Sequence, residues 1–233
     1  SKLIGNKVNI KLDGKLDNNG SDGVHTVATS SSNELEIGDL NWKNVKLLSI
    51  DYQNPSFDVV LGWVAFENKI VEIDYDKSLL IIHKSMETVS KDYSKIETKK
   101  IGGLLYIKGK IIINEKISEG WFEHDSGFNG SFSLSQQFAT KNNLNGIMEK
   151  VGTSISSGSA GVEWKANDYI LPKLQLGNFE LLEVPLSIDE KDPEGSVVNE
   201  ILGNNLLKRF NTVIDLRSFE IYLKPNTLLN IEY

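Results

Sequence analysis

Apolar and polar residues alternate along Val8–Leu12 (V-N-I-K-L) and Leu35–Ile37, and Gly, Asn and Ser clusters bound both runs. That period predicts half-buried strands. Ile70–Ile73 and Leu79–Ile82 are rich in β-branched and aliphatic residues and are split by the turn-like Tyr75-Asp76-Lys77-Ser78. Ile101–Ile113 reads as a hairpin around Lys108-Gly109-Lys110. Helical spacing is confined to Trp63–Asn68 and Asn204–Phe210, so the pattern predicts an all-β protein with little helix.

The pattern also repeats. V-L-G-W-V-A-F-E-N-K-I-V-E-I-D at Val60–Asp74 aligns without a gap on I-L-G-N-N-L-L-K-R-F-N-T-V-I-D at Ile201–Asp215, which sets Gly62 on Gly203 and Asp74 on Asp215. Leu80-Ile81-Ile82 then falls on Ile221-Tyr222-Leu223. Upstream, L-E-I-G-D-L-N-W at Leu35–Trp42 matches L-Q-L-G-N-F-E-L at Leu174–Leu181. Both run on to Ser-Ile-Asp, at Ser49–Asp51 and Ser187–Asp189, with one residue of length difference. Two copies of one block order imply two structural units of one kind. The polar segment Lys84–Lys100 has little to bury and places the boundary there, giving a first lobe at residues 1–92 and a second at 93–233.

Composition narrows the functions. The 233 residues suffice for two lobes of roughly 100 residues each. A formal net charge of -7 argues against nucleic-acid binding, which needs clustered Lys and Arg. The basic stretch Lys91–Lys110 is interrupted by Asp92 and Glu97 and reads as a solvated linker. Cysteine is absent, which removes thiol nucleophiles and Cys-based zinc sites, and His25, His83 and His124 lack metal-ligand spacing. Neither a metal nor another cofactor is expected. No apolar run reaches the ~18–20 residues of a membrane-spanning helix. The chain opens with Ser-Lys-Leu-Ile and no initiating Met, as a processed or trimmed polypeptide would.

Candidate chemistry lies in W-F-E-H-D-S-G-F-N-G-S-F-S-L at Trp121–Leu134, directly after the predicted hairpin. Asp-Ser-Gly after a strand can hold a carboxylate at a loop tip, with a hydroxyl beside it to brace the loop. The Gly lets the backbone turn tightly and approach a second carboxylate. Taken alone, D-S-G also describes an ordinary turn whose Asp caps its own backbone.

In that context residues 101–233 resemble a retropepsin-like lobe of the bacterial aspartyl-protease type. The resemblance rests on D-S-G-F-N-G at Asp125–Gly130, L-x-L-G-N-F at Leu174–Phe179, and the Ile201–Leu216 block closed by Ile221–Asn226. Residues 1–85 resemble the later part of another such lobe. The resemblance implies two related pepsin-type β-barrel lobes, the first incomplete at its N-terminus, with a peptide or protein substrate in the cleft between them. It also implies a secreted or cell-envelope bacterial setting. It makes Asp125 a catalytic aspartate, Ser126 the bracing hydroxyl and Gly127 the turn glycine. Ile201, Leu202 and Gly203 become the loop packed behind them. Asn18, Asn19, Gly20 and Ser21 become the tip of a candidate flap, with arms at Val8–Leu16 and Val24–Thr29, and Ser156–Gly161 takes the equivalent place in the second lobe. A plain surface turn is the alternative for that tip. His124 departs from the family, which places an apolar residue there. Neighbouring strand residues face opposite ways, so His124 is expected to point away from the cleft as a surface or interface histidine.

An aspartic protease needs two carboxylates sharing one proton, one acting as base on a water and the other polarising the peptide carbonyl. The first lobe's aspartate loop would fall before Ser1, and Asp13-Gly14 and Asp22-Gly23 lack the intervening Ser or Thr. Three readings follow. Residues upstream of Ser1 supply the second Asp and make a peptide-hydrolysing endopeptidase. The chain is a non-catalytic peptide-binding relative. Two chains pair their second lobes, each giving one Asp125. A carbohydrate-binding or adhesin-like β domain is a further class, through Trp42, Trp63, Trp121 and Trp164, although core packing suits these tryptophans better.

Overall fold

A computed structural model describes residues 10–52, 57–192 and 200–233. Strands dominate, and the helices are short. In order, the chain forms β1 (Gly14–Gly20), β2 (Gly23–Ile37), β3 (Leu40–Ser49), a 3-10 turn at Trp63–Phe66, β4 (Ile70–Asp74) and β5 (Leu79–His83). A second 3-10 turn (Met86–Thr88) precedes β6 (Ser94–Ile96), β7 (Thr98–Ile101), β8 (Leu104–Ile113), β9 (Lys116–Asp125) and β10 (Phe132–Leu134). Helix α1 (Gln136–Lys141) leads to β11 (Lys150–Ser157), β12 (Glu163–Leu176), β13 (Phe179–Asp189) and β14 (Ile201–Gly203). Helix α2 (Asn204–Leu207), β15 (Phe210–Asp215) and β16 (Glu220–Pro225) complete it. The all-β expectation holds. Of the strand expected at Val8–Leu12, Val8 and Asn9 lie outside the described residues, and residues 10–13 form no strand.

The chain divides into two compact units. One comprises Ser1–Ala65, Ile155–Lys165 and Asp192–Val198, and the other Phe66–Ser154, Ala166–Lys191 and Asn199–Tyr233. The first contains the antiparallel sheet β1-β2-β3. In the second, six strands close into a ring in the order β12-β13-β10-β14-β9-β8, and β8 returns to β12 with Ile111 opposite Leu174. Ile107, Ile111, Phe122, Phe132, Leu174 and Leu186 are buried in this unit, and the Phe122 and Phe132 rings meet edge to face at 4.8 Å. The same unit holds the five-stranded sheet β5-β4-β15-β16-β6, which takes strands from both sides of the expected 92/93 boundary.

Two local expectations are corrected. Lys108-Gly109-Lys110 is the middle of β8 and not a turn; the turn is Gly102-Gly103, with φ of +56° and +92°. Gly109 is glycine for packing, because a Cβ there would sit 2.7 Å from the Phe122 ring. The basic segment 91–110 is not a solvated linker. It supplies β6, β7 and most of β8, and Ile96 is buried where β6 pairs with β16. Within β8, Lys108 and Lys110 alternate with the buried Ile107, Gly109 and Ile111, which a charge count alone conceals.

The repeat appears in the backbone residue by residue. The β2–β3 hairpin pairs Leu35 with Trp42 and Ile37 with Leu40, and β12–β13 pairs Leu174 with Leu181 and Leu176 with Phe179. Gly38 and Gly177 turn these hairpins at the same φ of +56°. Asn44 and Glu183, which occupy the same place after those glycines, share a left-handed conformation at φ +57° and +52°. The match holds to the end of the hairpin, since Ala28 faces Ser49 as Asn167 faces Ile188. Ser49 is thus equivalent to Ile188 and not to Ser187, and the two Ser-Ile-Asp matches sit out of structural register. Downstream, the alignment of Val60–Asp74 with Ile201–Asp215 holds in the fold: the 3-10 turn Trp63–Phe66 falls on α2, and Ser78 and Phe219 turn their hairpins at φ +55° and +60°.

The repeat also sets how β4 and β15 meet. They are antiparallel, with Val71 opposite Ile214, Glu72 opposite Val213 and Ile73 opposite Thr212. Glu72 and Val213 are themselves equivalent positions of the aligned blocks. The two copies of this strand are thus related by a local two-fold that passes between those two residues.

Candidate functional site

Strand β9 buries Phe122 and ends at Asp125, which is half-buried. Glu123, His124 and Asp125 run parallel to Ile201, Leu202 and Gly203 of β14, each opposite its partner in that order. β14 is flanked on its other side by the antiparallel β10, Phe132 opposite Leu202. The chain between β9 and β10, residues 126–131, must therefore loop around β14. Four hydrogen bonds stitch it there. Gly203 N–H donates to Ser131 O at 2.9 Å, Asn204 N–H to Phe128 O at 2.7 Å and Asn205 N–H to Gly130 O at 3.1 Å. Asn205 Nδ2 donates to Ser131 Oγ at 3.1 Å.

This packing dictates the glycine. A Cβ at Gly203 would lie 2.2 Å from Gly130 O, a backbone atom that cannot swing aside. Leu202 beside it is fully buried. The loop tip is open: Ser126 and Gly127 are exposed, and Gly127 N–H donates to Asp125 Oδ1 at 2.8 Å. One carboxylate oxygen is thus held by the backbone. Among the described residues, no hydrogen bond or ion pair joins Asp125 to another carboxylate. The structure so brings together Asp125, Ser126, Gly127, Ile201, Leu202 and Gly203 in one loop-and-strand arrangement.

His124 differs in part from its expectation. It lies two residues after Phe122 and so on the same side of β9. The residue as a whole is half-buried, but its Nε2 is sealed from solvent and has no hydrogen-bond partner. Burial pushes its pKa below the usual histidine range, and the neighbouring Asp125 charge opposes this more weakly. Its ring is therefore partly enclosed and not freely exposed, while its position next to Asp125 on β9 sets it on the opposite side of the strand from that carboxylate, as expected.

The candidate flap residues lie at a hairpin tip. Asn18, Asn19 and Gly20 end β1 and Ser21 enters the two-residue turn, with Gly20 opposite Gly23. This tip is bonded to the second expected tip, which belongs to the same compact unit. Asn18 Nδ2 donates to Ser159 Oγ at 2.8 Å. The buried Asp22 carboxylate accepts Ala160 N–H at 2.8 Å and Val162 N–H at 3.1 Å.

Sequence reasoning missed Tyr75. Its hydroxyl donates to Asn204 Oδ1 at 2.6 Å, and its N–H donates to Asn211 Oδ1 at 2.9 Å. It fixes the residue that follows Gly203 from 129 positions away, and nothing local in the sequence marks that contact. The four tryptophans are half-buried, and Trp42 Nε1–H donates to Ala65 O at 2.5 Å. Among the described residues, no cluster of three or more His, Asp or Glu side chains converges as a metal site would require. No helix among them is long and apolar enough to cross a membrane.

No known family model matches the chain, and no curated protein sequence matches it.

Proposed function

We propose that this chain is an aspartic endopeptidase of the retropepsin and pepsin kind, hydrolysing peptide bonds through an Asp dyad of which Asp125 is one member. The observation that supports this is the Asp125-Ser126-Gly127 loop at the end of β9, wrapped around Ile201–Gly203 and tied to it by backbone hydrogen bonds. Such a loop holds a carboxylate at a fixed, open tip, which is what a shared-proton pair requires. The second carboxylate comes from outside the described residues.

In the dyad, like charges a few ångströms apart keep one carboxyl protonated. The ionised one takes a proton from water, and the water oxygen bonds to the peptide carbonyl carbon. The protonated one donates to the carbonyl oxygen as negative charge builds there. The intermediate collapses by breaking the C–N bond, and the amine leaves with a proton from the dyad. In this reading Ser126 is the bracing hydroxyl, and Asn18–Ser21 is the tip of the candidate flap.

A second reading follows from the single carboxylate: a relative that binds extended peptide without cutting it, since fold does not imply function. Cleavage of an unstructured protein substrate, blocked by a statine-type transition-state analogue and lost in Asp125→Asn, is the expected result. Turnover that survives Asp125→Asn overturns the protease reading. Peptide binding with no cleavage in the natural polypeptide favours the second.

A further inference from the structure

The chain has two arginines, Arg209 and Arg217, and they carry the same chemistry in opposite states. Arg217 grips Asp215 with two donors, Nε–H to Oδ1 at 2.8 Å and Nη2–H to Oδ2 at 2.5 Å. That edge of a guanidinium presents two parallel N–H groups, which match two oxygens of a carboxylate or phosphate. Arg209 has the same edge with nothing on it. Its Nε and Nη2 are sealed from solvent and have no hydrogen-bond partner.

Arg209 is 1% exposed, and charged side chains are almost never so enclosed unless paired. Among the described residues, no Asp or Glu forms an ion pair with it. Its Nη1 donates to the carbonyl oxygens of Leu228, Leu229 and Ile231, at 3.1, 2.9 and 2.6 Å. The Tyr233 ring lies on the guanidinium, its centroid 3.5 Å from Cζ. These contacts account for the way residues 228–233 fold back over Arg209. A clamp on that segment uses Nη1 and the flat face alone. It leaves the Nε–Nη2 edge buried and unsatisfied, which is a costly state for a charged donor. The covering ring adds a second orphan, because Tyr233 Oη is also buried without a partner. The repeated fold does not demand a cation here either: the equivalent of Arg209 in the first copy is the exposed Asn68.

We propose that the Nε–Nη2 edge of Arg209, with the Tyr233 hydroxyl as a third donor, binds a small oxyanion, a free carboxylate or phosphate. Each N–H donates to one oxygen, as those of Arg217 do to Asp215, and the anion's charge balances the buried guanidinium. The enclosure sets the size of the occupant. A side chain this buried offers no surface to a macromolecule, so the anion enters as Tyr233 lifts and is covered when the ring returns.

The test follows the Nε–H resonances of both arginines by nitrogen-15 NMR on the 233-residue chain, as inorganic phosphate or acetate replaces chloride at constant ionic strength. The Arg209 resonance is expected to shift and saturate, while that of Arg217, already held by Asp215, stays in place. The melting temperature should rise in parallel, by about 5–10 °C at a hundred times the dissociation constant. Arg209→Lys keeps the charge and loses the fork, and should abolish this thermal response. Tyr233→Phe should weaken phosphate binding about 10-fold, through loss of one hydrogen bond to an anion. An Arg209 resonance that neither phosphate nor acetate moves overturns the proposal. A thermal response that survives Arg209→Lys also overturns it, because surface lysines then hold the ion. If Arg209→Lys does not fold, the resonance titration and Tyr233→Phe decide alone, and an affinity unchanged in Tyr233→Phe overturns the site.

Discussion

Asp125 and Gly203 stand opposite one another across the parallel strands β9 and β14, and the loop after Asp125 closes over Gly203 to within the reach of a methyl group. Gly203→Ala therefore has no room: its Cβ meets the Gly130 carbonyl, and either the loop lifts or β14 shifts. Overpacking of this kind costs about 1–3 kcal/mol. Urea denaturation should show a lower midpoint, and any activity dependent on the Asp125 loop should fall further than the loss of stability explains.

Asp125→Asn should separate chemistry from folding. The amide keeps an oxygen to accept the Gly127 N–H, so stability should change by no more than about 0.5 kcal/mol. Cleavage should disappear in any preparation that shows it. Chemical denaturation and a substrate assay on the same sample check both halves.

The largest single-site loss is expected at Glu72. Its carboxylate accepts from Tyr93 Oη at 2.6 Å and meets His83 Nε2 at 2.5 Å, with the Glu72 and His83 side chains both largely buried. Burial and that hydrogen bond push the Tyr93 hydroxyl far above its ordinary range. Glu72→Ala leaves the half-buried Tyr93 hydroxyl and His83 Nε2 without this acceptor and should cost about 2–3 kcal/mol. Glu72→Gln keeps an acceptor and should cost about 1 kcal/mol. Equilibrium denaturation of the two variants beside the parent chain checks both values.

Acid should weaken the fold in two windows. His124 has a depressed pKa because it is buried, so the unfolded chain binds its proton first. Stability from this site is complete above the ordinary histidine pKa of about 6.5 and is lost as pH falls below it. Asp74 and Asp215, both nearly buried, are lowered chiefly by the side-chain hydrogen bonds of Lys77 and Arg217. Their contribution is complete above the ordinary carboxylate range near about 3.9 and is lost as pH falls through their lower folded values. A denaturation series across pH should show a first slope that His124→Gln removes and a second that it leaves intact.

Gly38 and Gly177 provide a matched pair. Both turn a hairpin at φ +56°, where an L-residue is strained by about 1–2 kcal/mol. A Cβ at Gly38 meets nothing within 4 Å, whereas at Gly177 it lies 2.8 Å from Cδ1 of the buried Ile96. Gly177→Ala should therefore destabilise more than Gly38→Ala, and thermal unfolding of the two variants checks the order.

What the sequence discloses follows from how local each feature is. The β4–β5 hairpin is legible because Ile70–Ile73 and Leu79–Ile82 flank a short polar turn. The repeat is legible because its blocks keep their spacing. The closure of β8 on β12 joins residues far apart in the chain, such as Ile111 and Leu174, and leaves no periodic trace. The strand β14 is too short to show a period, so Ile201–Gly203 reads as a loop packed behind the aspartate, although it is the strand around which that loop winds. Gly109 misleads for a related reason: glycine marks turns and close packing alike, and only the Phe122 ring tells them apart. The enclosed ring of His124 could have been suspected, since it shares strand parity with an aromatic residue two positions earlier.

The two-fold between β4 and β15 bears on how such a chain can change over time. If a strand pairs with an identical copy of itself, its central residue must face its own kind. A glutamate there would sit beside another glutamate, and like charges directly opposite are destabilising. Carrying both copies in one polypeptide lifts that restriction, because each copy can be altered without the other. Glu72 opposite Val213 is a pairing that no dimer of identical chains could hold at this position. The carboxylate that organises His83 and Tyr93 is thus a refinement open only to a chain whose halves are inherited together.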